Sequence, residues 1–183
     1  MIAPRLFRLE RRRRGRQRPR FLLALTLVGL GCVGFASLTR PAPDLVWNAS
    51  ASAPIGLYRV LSPEPIRRGD MVLARPPDSV RQLAVERGYL PANVPLVKRI
   101  VGVGGDLVCA IGDAISIDGR PIATRLQRDR MGRPLPGWSG CRRLGDGEVF
   151  LLMEGVADSF DGRYFGPVPF SSIIGRLVPL WTE

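Results

Sequence analysis

The apolar run from Phe21 to Leu38 (FLLALTLVGLGCVGFASL), set directly behind an arginine-rich start, constrains this chain more than any other feature. Residues 1–20 carry nine arginines against one acid, Glu10, and no further charge falls before Arg40. At about 1.5 Å per residue, eighteen apolar residues just span a hydrocarbon core. A lone segment in lipid must be helical, because only a helix satisfies its own backbone there. The run therefore predicts one transmembrane helix, with the arginines holding the N-terminus in the cytoplasm and everything after Thr39 on the far side. The alternative is a cleaved signal peptide, which the basic start suits, although the apolar stretch is longer than the usual ~7–15 residues. A lipoprotein signal is weak, since Gly29 and Leu30 precede Gly31-Cys32 where a Leu and a small residue are wanted. On each reading the rest of the chain is exported. The expected organisation is a basic cytoplasmic tail over 1–20, an anchor over 21–39 and an exported domain over 40–183.

The net charge of +11 invites a nucleic-acid reading until it is located, for +8 of it lies in residues 1–20. The remaining 163 residues hold 18 bases and 15 acids, so the body of the protein is not a polyanion-binding module and no nucleic-acid partner is expected. Cys32 lies in the apolar run, leaving Cys109 and Cys141 as an even pair in the exported part. In an oxidising compartment two such thiols pair; the alternative is two unrelated buried thiols. With no histidine and no Cys-x-x-Cys spacing, a zinc site is not expected, and no cofactor is implied.

Gly and Pro are abundant and long helix-periodic stretches scarce, which predicts a mainly β, antiparallel domain with one short soluble helix. Arg40 to Trp47 reads as a Pro-stiffened linker. Strands are expected over Ile55–Leu61, Met71–Ala74, Leu96–Val103, Val149–Met153 and Ile173–Leu180, with hairpin turns at Ile111-Gly112-Asp113 and Asp118-Gly119-Arg120. The soluble helix is expected from Pro77 to Gly88, capped by Asp78 or Ser79, with Val80, Leu83 and Ala84 on one face and Gly88 as its stop. Arg125 to Gly140, rich in Arg, Gly and Pro, reads as a surface loop or extended ribbon.

Among 27 basic residues there is one lysine, Lys98, and it sits in the apolar run Leu96-Val97-Lys98-Arg99-Ile100-Val101. Without histidine, this amine is the available proton acceptor, because arginine keeps its proton in a protein. On a strand Lys98 shares a face with Leu96 and Ile100 while Arg99 points the other way. Burial there disfavours the ammonium, and lowering its pKa from about 10.4 to near 7 corresponds to about 4–5 kcal/mol. A neutral amine can act as general base for a nearby serine; the alternative is a lysine that snorkels to solvent. Asn48 to Tyr58 (NASASAPIGLY) holds two serines, Ser50 and Ser52, among small residues, with Pro54 and Gly56 forcing an open turn. Asp158 to Gly166 (DSFDGRYFG) adds a serine, Ser159, and an acid and an arginine two apart, Asp161 and Arg163.

These segments, in this order behind an N-terminal anchor and together with Arg68-Gly69-Asp70-Met71-Val72, resemble the signal peptidase I clan of membrane-bound Ser-Lys proteases. The form Ser-x-Pro-x-Gly-x-Tyr is more similar to the TraF branch, the conjugative-transfer peptidases, than to housekeeping signal peptidases, which place Met after the serine. The resemblance implies a signal-peptidase-like β domain in which Ser52 is the nucleophile and Lys98 its general base. It implies that Ser50 joins the Ser52 backbone N–H in an oxyanion hole, that Ser159 orients the amine, and that Asp161 and Arg163 form a supporting ion pair. Ser50 and Ser52 could exchange roles; the spacing to Pro54 favours Ser52 as nucleophile. Asn48 and Tyr58 are expected to be packing residues. The implied setting is the bacterial inner membrane, with a periplasmic catalytic domain. The implied partners are a precursor protein, pilin-like in kind, and other transfer-apparatus proteins. Two other functions fit the same residues: a general signal peptidase I, and a non-enzymatic subunit of a secretion or conjugation apparatus.

Overall fold

The computed structural model describes residues 18–38 and 43–183, with side chains from residue 19 to 35 and from 43 onward. Most of the basic tail, residue 39 of the expected anchor and residues 40–42 of the expected linker lie outside the described residues. The chain divides into two units, Met1–Pro41 and Ala42–Glu183. The first contains α1, Arg18–Leu38, a 21-residue helix that takes in the whole apolar run. Its side chains from Phe21 to Phe35 are exposed, and Cys32 is a free thiol. Among the described residues, no helix is long and apolar enough to cross a membrane.

The second unit is mainly β and antiparallel. Its larger sheet contains β1 (Leu45–Asn48), β2 (Gly56–Leu61), β3 (Met71–Ala74), β4 (Leu96–Gly102), β9 (Glu148–Leu152), β10 (Val168–Pro169) and β11 (Ile173–Thr182), in the order β1-β2-β11-β3-β4-β9-β10. A smaller sheet takes β5 (Leu107–Ile111), β6 (Ala114–Ile117), β7 (Arg120–Thr124) and β8 (Gly140–Arg143), in the order β7-β6-β5-β8. Cys109 and Cys141 face each other across β5 and β8 and form a disulfide. Apolar side chains of β5 and β6 (Val108, Ala110, Ile115 and Ile117) bury against Phe150 and Leu152 of β9. That packing makes the small sheet part of the same body rather than an appendage.

Two expectations are corrected. The segment read as a linker up to Trp47 ends in β1, which pairs antiparallel with β2. Trp47 stacks on Trp181 of β11 at 5.6 Å between ring centres, a contact no local pattern announces. The soluble helix, α2 (Asp78–Glu86), has no side-chain cap. Pro77 occupies the N-cap with extended backbone, which puts Asp78 inside the first turn, where its charge complements the helix dipole and pairs with Arg81 at 2.6 Å. The other end follows the sequence: Gly88 takes φ +71°, and the N–H of Tyr89 reaches back to the carbonyl of Ala84. Val80 and Ala84 are buried, with Leu83 half-buried beside them.

Two glycines position the parts that matter. At Gly56, φ is +152° and a Cβ would lie 2.1 Å from the carbonyl oxygen of Trp181. Gly162 opens α3 (Gly162–Phe165), where a Cβ would lie 2.6 Å from the carbonyl oxygen of Leu151. In both places the backbones approach too closely for any other residue.

Candidate active site

The serine-bearing loop, residues 49–55, joins β1 to β2 and lies over a cluster of Ala53, Tyr58, Leu73, Val97, Met153 and Leu177. Across from it β4 supplies Lys98, paired in register with Val72 of β3. Six of the seven residues of β4 are buried, so the strand has no solvent side onto which the lysine could snorkel; Lys98 is 3% exposed. Its Nζ lies 3.1 Å from Ser52 Oγ and 3.0 Å from Ser159 Oγ, donating to both. The hydroxyls of Ser50 and Ser52 are 2.9 Å apart, and the Ser52 N–H donates to Ser50 Oγ at 3.3 Å. Ser50, Ser52, Lys98 and Ser159, separated by up to 109 positions in the chain, are thus brought into one chain of hydrogen bonds.

Burial pushes the Lys98 ammonium down to about 8, with Asp161 opposing that shift and Arg163 adding to it. The Asp161 carboxylate favours the charged form and so limits the fall. Asp161 is fully buried and Arg163 nearly so. The Asp161 carboxylate accepts from Arg163 Nε at 2.9 Å, from its terminal nitrogen at 2.8 Å, and from the backbone N–H of Met153 and Arg163. The guanidinium also donates to the carbonyls of Met153, Val156 and Ala157. This pair ties down the 153–159 turn and with it Ser159, and its hydrogen bonds reach neither Ser52 nor Lys98.

Asn48 and Tyr58, expected as packing residues, are more specific than that. Asn48 is buried, and its amide reaches three carbonyls of the serine loop; the Tyr58 hydroxyl donates to the carbonyl of Pro54 at 2.7 Å. An Asn closing a strand just before a Ser-Ala-Ser turn was the available sign. Arg68 pairs with both oxygens of Asp106 at 2.6 and 2.7 Å, tying the turn before β3 to the Gly104-Gly105-Asp106 turn after β4. That contact explains the Arg-Gly-Asp segment as support rather than chemistry.

Ser52 and Lys98 open onto a cleft of about 750 Å³. Trp47, Tyr89, Leu96, Leu126, Met131 and Phe160 supply apolar lining, while Arg87, Asp129, Arg130 and Arg133 sit toward the long loop between β7 and β8. That loop, expected at the surface, forms one wall of the cleft. It is held by Tyr89 Oη on Asp129 at 2.5 Å, by Arg133 on Asp129 at 2.6 Å, and by an ion pair between Arg130 and Asp158. Among the described residues no group of His, Cys, Asp and Glu could hold a metal ion.

A serine hydroxyl beside a buried, hydrogen-bonded amine, on a β scaffold, is the chemistry that the signal peptidase resemblance implies. The family described as "Signal peptidase, peptidase S26" matches residues 18–181. The chain belongs to that family. It is a TraF-type, signal-peptidase-like protein, and at the family level a serine peptidase. Among relatives of this S26 chain, a plasmid transfer protein TraF from Escherichia coli is 37% identical over 145 residues, covering 74% of this chain and 81% of that protein. A probable conjugal transfer protein TraF from Sinorhizobium fredii is 33% identical over 176 residues, covering 91% and 90%. A signal peptidase I from Leptolyngbya laminosa is 27% identical over 114 residues, covering 62% of this chain and 52% of its own. Among solved structures, a signal peptidase I from Enterococcus faecalis V583 aligns with a TM-score of 0.37 at 18% identity, over 64% of this chain and all of the other.

Proposed function

We propose that this S26 peptidase is a membrane-anchored serine endopeptidase that processes an exported precursor protein through a Ser52–Lys98 dyad. The observation carrying the reading is the buried Lys98 amine, held between Ser52 and Ser159 at 3.1 and 3.0 Å. Neutral Lys98 takes the Ser52 proton as the serine oxygen adds to the scissile carbonyl. Collapse breaks the C–N bond, the proton passes from Lys98 to the leaving amine, and an ester acyl-enzyme remains. Water activated by the same amine then adds to the ester, and the acid leaves as Ser52 recovers its proton. The oxyanion is received by the Ser52 N–H and the Ser50 hydroxyl, two donors each worth roughly 3–4 kcal/mol in such sites. Those two groups now bond to each other, so Ser50 must rotate for both to face substrate. Ser159 keeps the amine aimed, and Asp161 and Arg163 hold the turn that bears Ser159.

The substrate we propose is a precursor of the conjugative-transfer apparatus, pilin-like in kind, because relatives named for plasmid and conjugal transfer align over most of both chains. The apolar cleft suits small and apolar side chains around the cleaved bond. An anchor in the inner membrane, with residues 40–183 on the periplasmic side, is supported by the sequence, in which the uncharged run Phe21–Leu38 follows an arginine-rich start.

The test is processing of a co-expressed pilin precursor by Ser52→Ala, Ser50→Ala and Lys98→Arg variants. Ser52→Ala and Lys98→Arg are expected to abolish cleavage, and Ser50→Ala to lower it by about a hundredfold or more. Cleavage at the normal rate by Lys98→Arg sinks the dyad, and activity in Ser52→Ala with loss in Ser50→Ala exchanges the serines. The rate is expected to rise with pH through a midpoint near 8, as the amine loses its proton. A non-enzymatic subunit would keep its function in every one of these variants. Equal processing of ordinary secreted preproteins would point to a general signal peptidase instead.

A further inference from the structure

Asn48 closes β1 directly opposite Gly56, the first residue of β2. Between those two residues the chain must turn back on itself while presenting Ser52 to Lys98. The Asn48 side chain fills the inside of that turn. Its Nδ2 donates to the carbonyls of Ser50 at 3.0 Å, Ala53 at 3.1 Å and Pro54 at 3.0 Å, and its Oδ1 accepts the Ser50 N–H at 3.1 Å. An amide has two N–H groups, so three carbonyls share two donors and both polar atoms are fully used. Asn48 therefore grips the N–H and the C=O of Ser50 at once. The placement of the Ser50 backbone, from which its hydroxyl projects, and of the loop that carries the Ser52 N–H then depends on one buried side chain.

We infer that Asn48 is a positioning residue for the chemical step: its amide fixes the loop backbone from which the Ser50 hydroxyl and the Ser52 N–H reach the oxyanion. The inference rests on the Ser52–Lys98 reading. A packing role would be met by any side chain of equal volume, whereas this one requires a donor facing three carbonyls and an acceptor facing one N–H. Asn48→Asp separates the two roles. It keeps the shape and the acceptor but sets a carboxylate against three carbonyl oxygens, removing the Asn48 donor from each, although the Ser50 carbonyl keeps the Ala53 N–H and the Pro54 carbonyl keeps the Tyr58 hydroxyl.

The experiment compares full-length Asn48→Asp and Asn48→Ala with the unaltered protein in detergent, using a precursor peptide and measuring kcat and KM separately. Rates are expressed per folded molecule, with the folded fraction read from the amplitude of the cooperative unfolding transition. Both variants are expected to lose about a hundredfold in kcat, the size of one lost oxyanion donor, with KM within twofold. The pH midpoint of the Asn48→Ala profile stays near 8, because Lys98 keeps its surroundings. Unaltered kcat per folded molecule in either variant overturns the inference; if Asn48→Ala does not fold, Asn48→Asp decides alone. A Ser52→Ala arm runs beside them. If it still cleaves, the dyad reading falls and this inference with it; if it is dead while the Asn48 variants run at the normal rate, only this inference falls.

Discussion

A lysine inside a protein works against the fold that contains it. Lys98 is almost wholly buried, and its ammonium titrates near 8 instead of 10.5. Between those two values the unfolded chain binds more protons than the folded one, so stability rises with pH across that window, and the cost is fully present below pH 8. Lys98→Met, which keeps the volume and removes the charge, is expected to raise stability at pH 6.5 by about 3 kcal/mol, the equivalent of the shift. That advantage narrows as the pH climbs from 8 toward 10.5. Denaturant midpoints of the two proteins at pH 6.5 and 9.5, at equal slope, measure it, and a constant gap would contradict it. The burial of the lysine was legible in the sequence from its rarity and its apolar neighbours, while its meeting with Ser52 and Ser159 was what the family resemblance implied. The role of Asn48 was not, because three carbonyls converging on one amide is a property of the folded loop alone.

At the scale of elements, turn chemistry and alternation were the legible part. The strands around Met71, Leu96 and Val149 and the glycine turns of the small sheet lie where the pattern puts them. What local pattern misses is structure made by distant partners. β1 exists because β2 pairs with it and Trp181 covers Trp47. β8 is exposed along its length and owes its place to β5 and the Cys109–Cys141 bond. The 32-residue separation of those cysteines gives the bond about 3–4 kcal/mol of stabilisation in the chain-entropy picture. Cys141→Ser is expected to lose that much in equilibrium unfolding. The parent protein under a thiol reductant should match the variant; no change on reduction would show that the strands hold without the bond.

At the scale of the molecule, Ser50, Ser52, Lys98, Ser159, Asp161 and Arg163 all belong to the unit Ala42–Glu183, which has its own core. Residues 42–183 alone are therefore expected to cleave a soluble precursor peptide with a kcat within about threefold of the full chain in detergent, with correct folding checked by the same unfolding transition. The division of charge agrees with this separation of tasks, since +8 of the net +11 lies ahead of the apolar run. Loss of peptide cleavage by a folded 42–183 would mean that the first unit contributes to chemistry as well as to location.

The Asp161–Arg163 pair also has a consequence for how such a chain can change over generations. Each partner is buried, and each satisfies backbone groups as well as the other's charge. Removing either one alone strands a charge in the interior, at a typical cost of about 3–5 kcal/mol, which is comparable to the whole margin of a small domain. A lineage cannot then replace the pair one codon at a time; it must keep both residues or cross a poorly folding intermediate. Exposed residues of the cleft, Trp47 and Met131 among them, are free of that restriction. Descendants of such a chain can drift along the cleft while inheriting unchanged two residues bound only to each other and to the backbone.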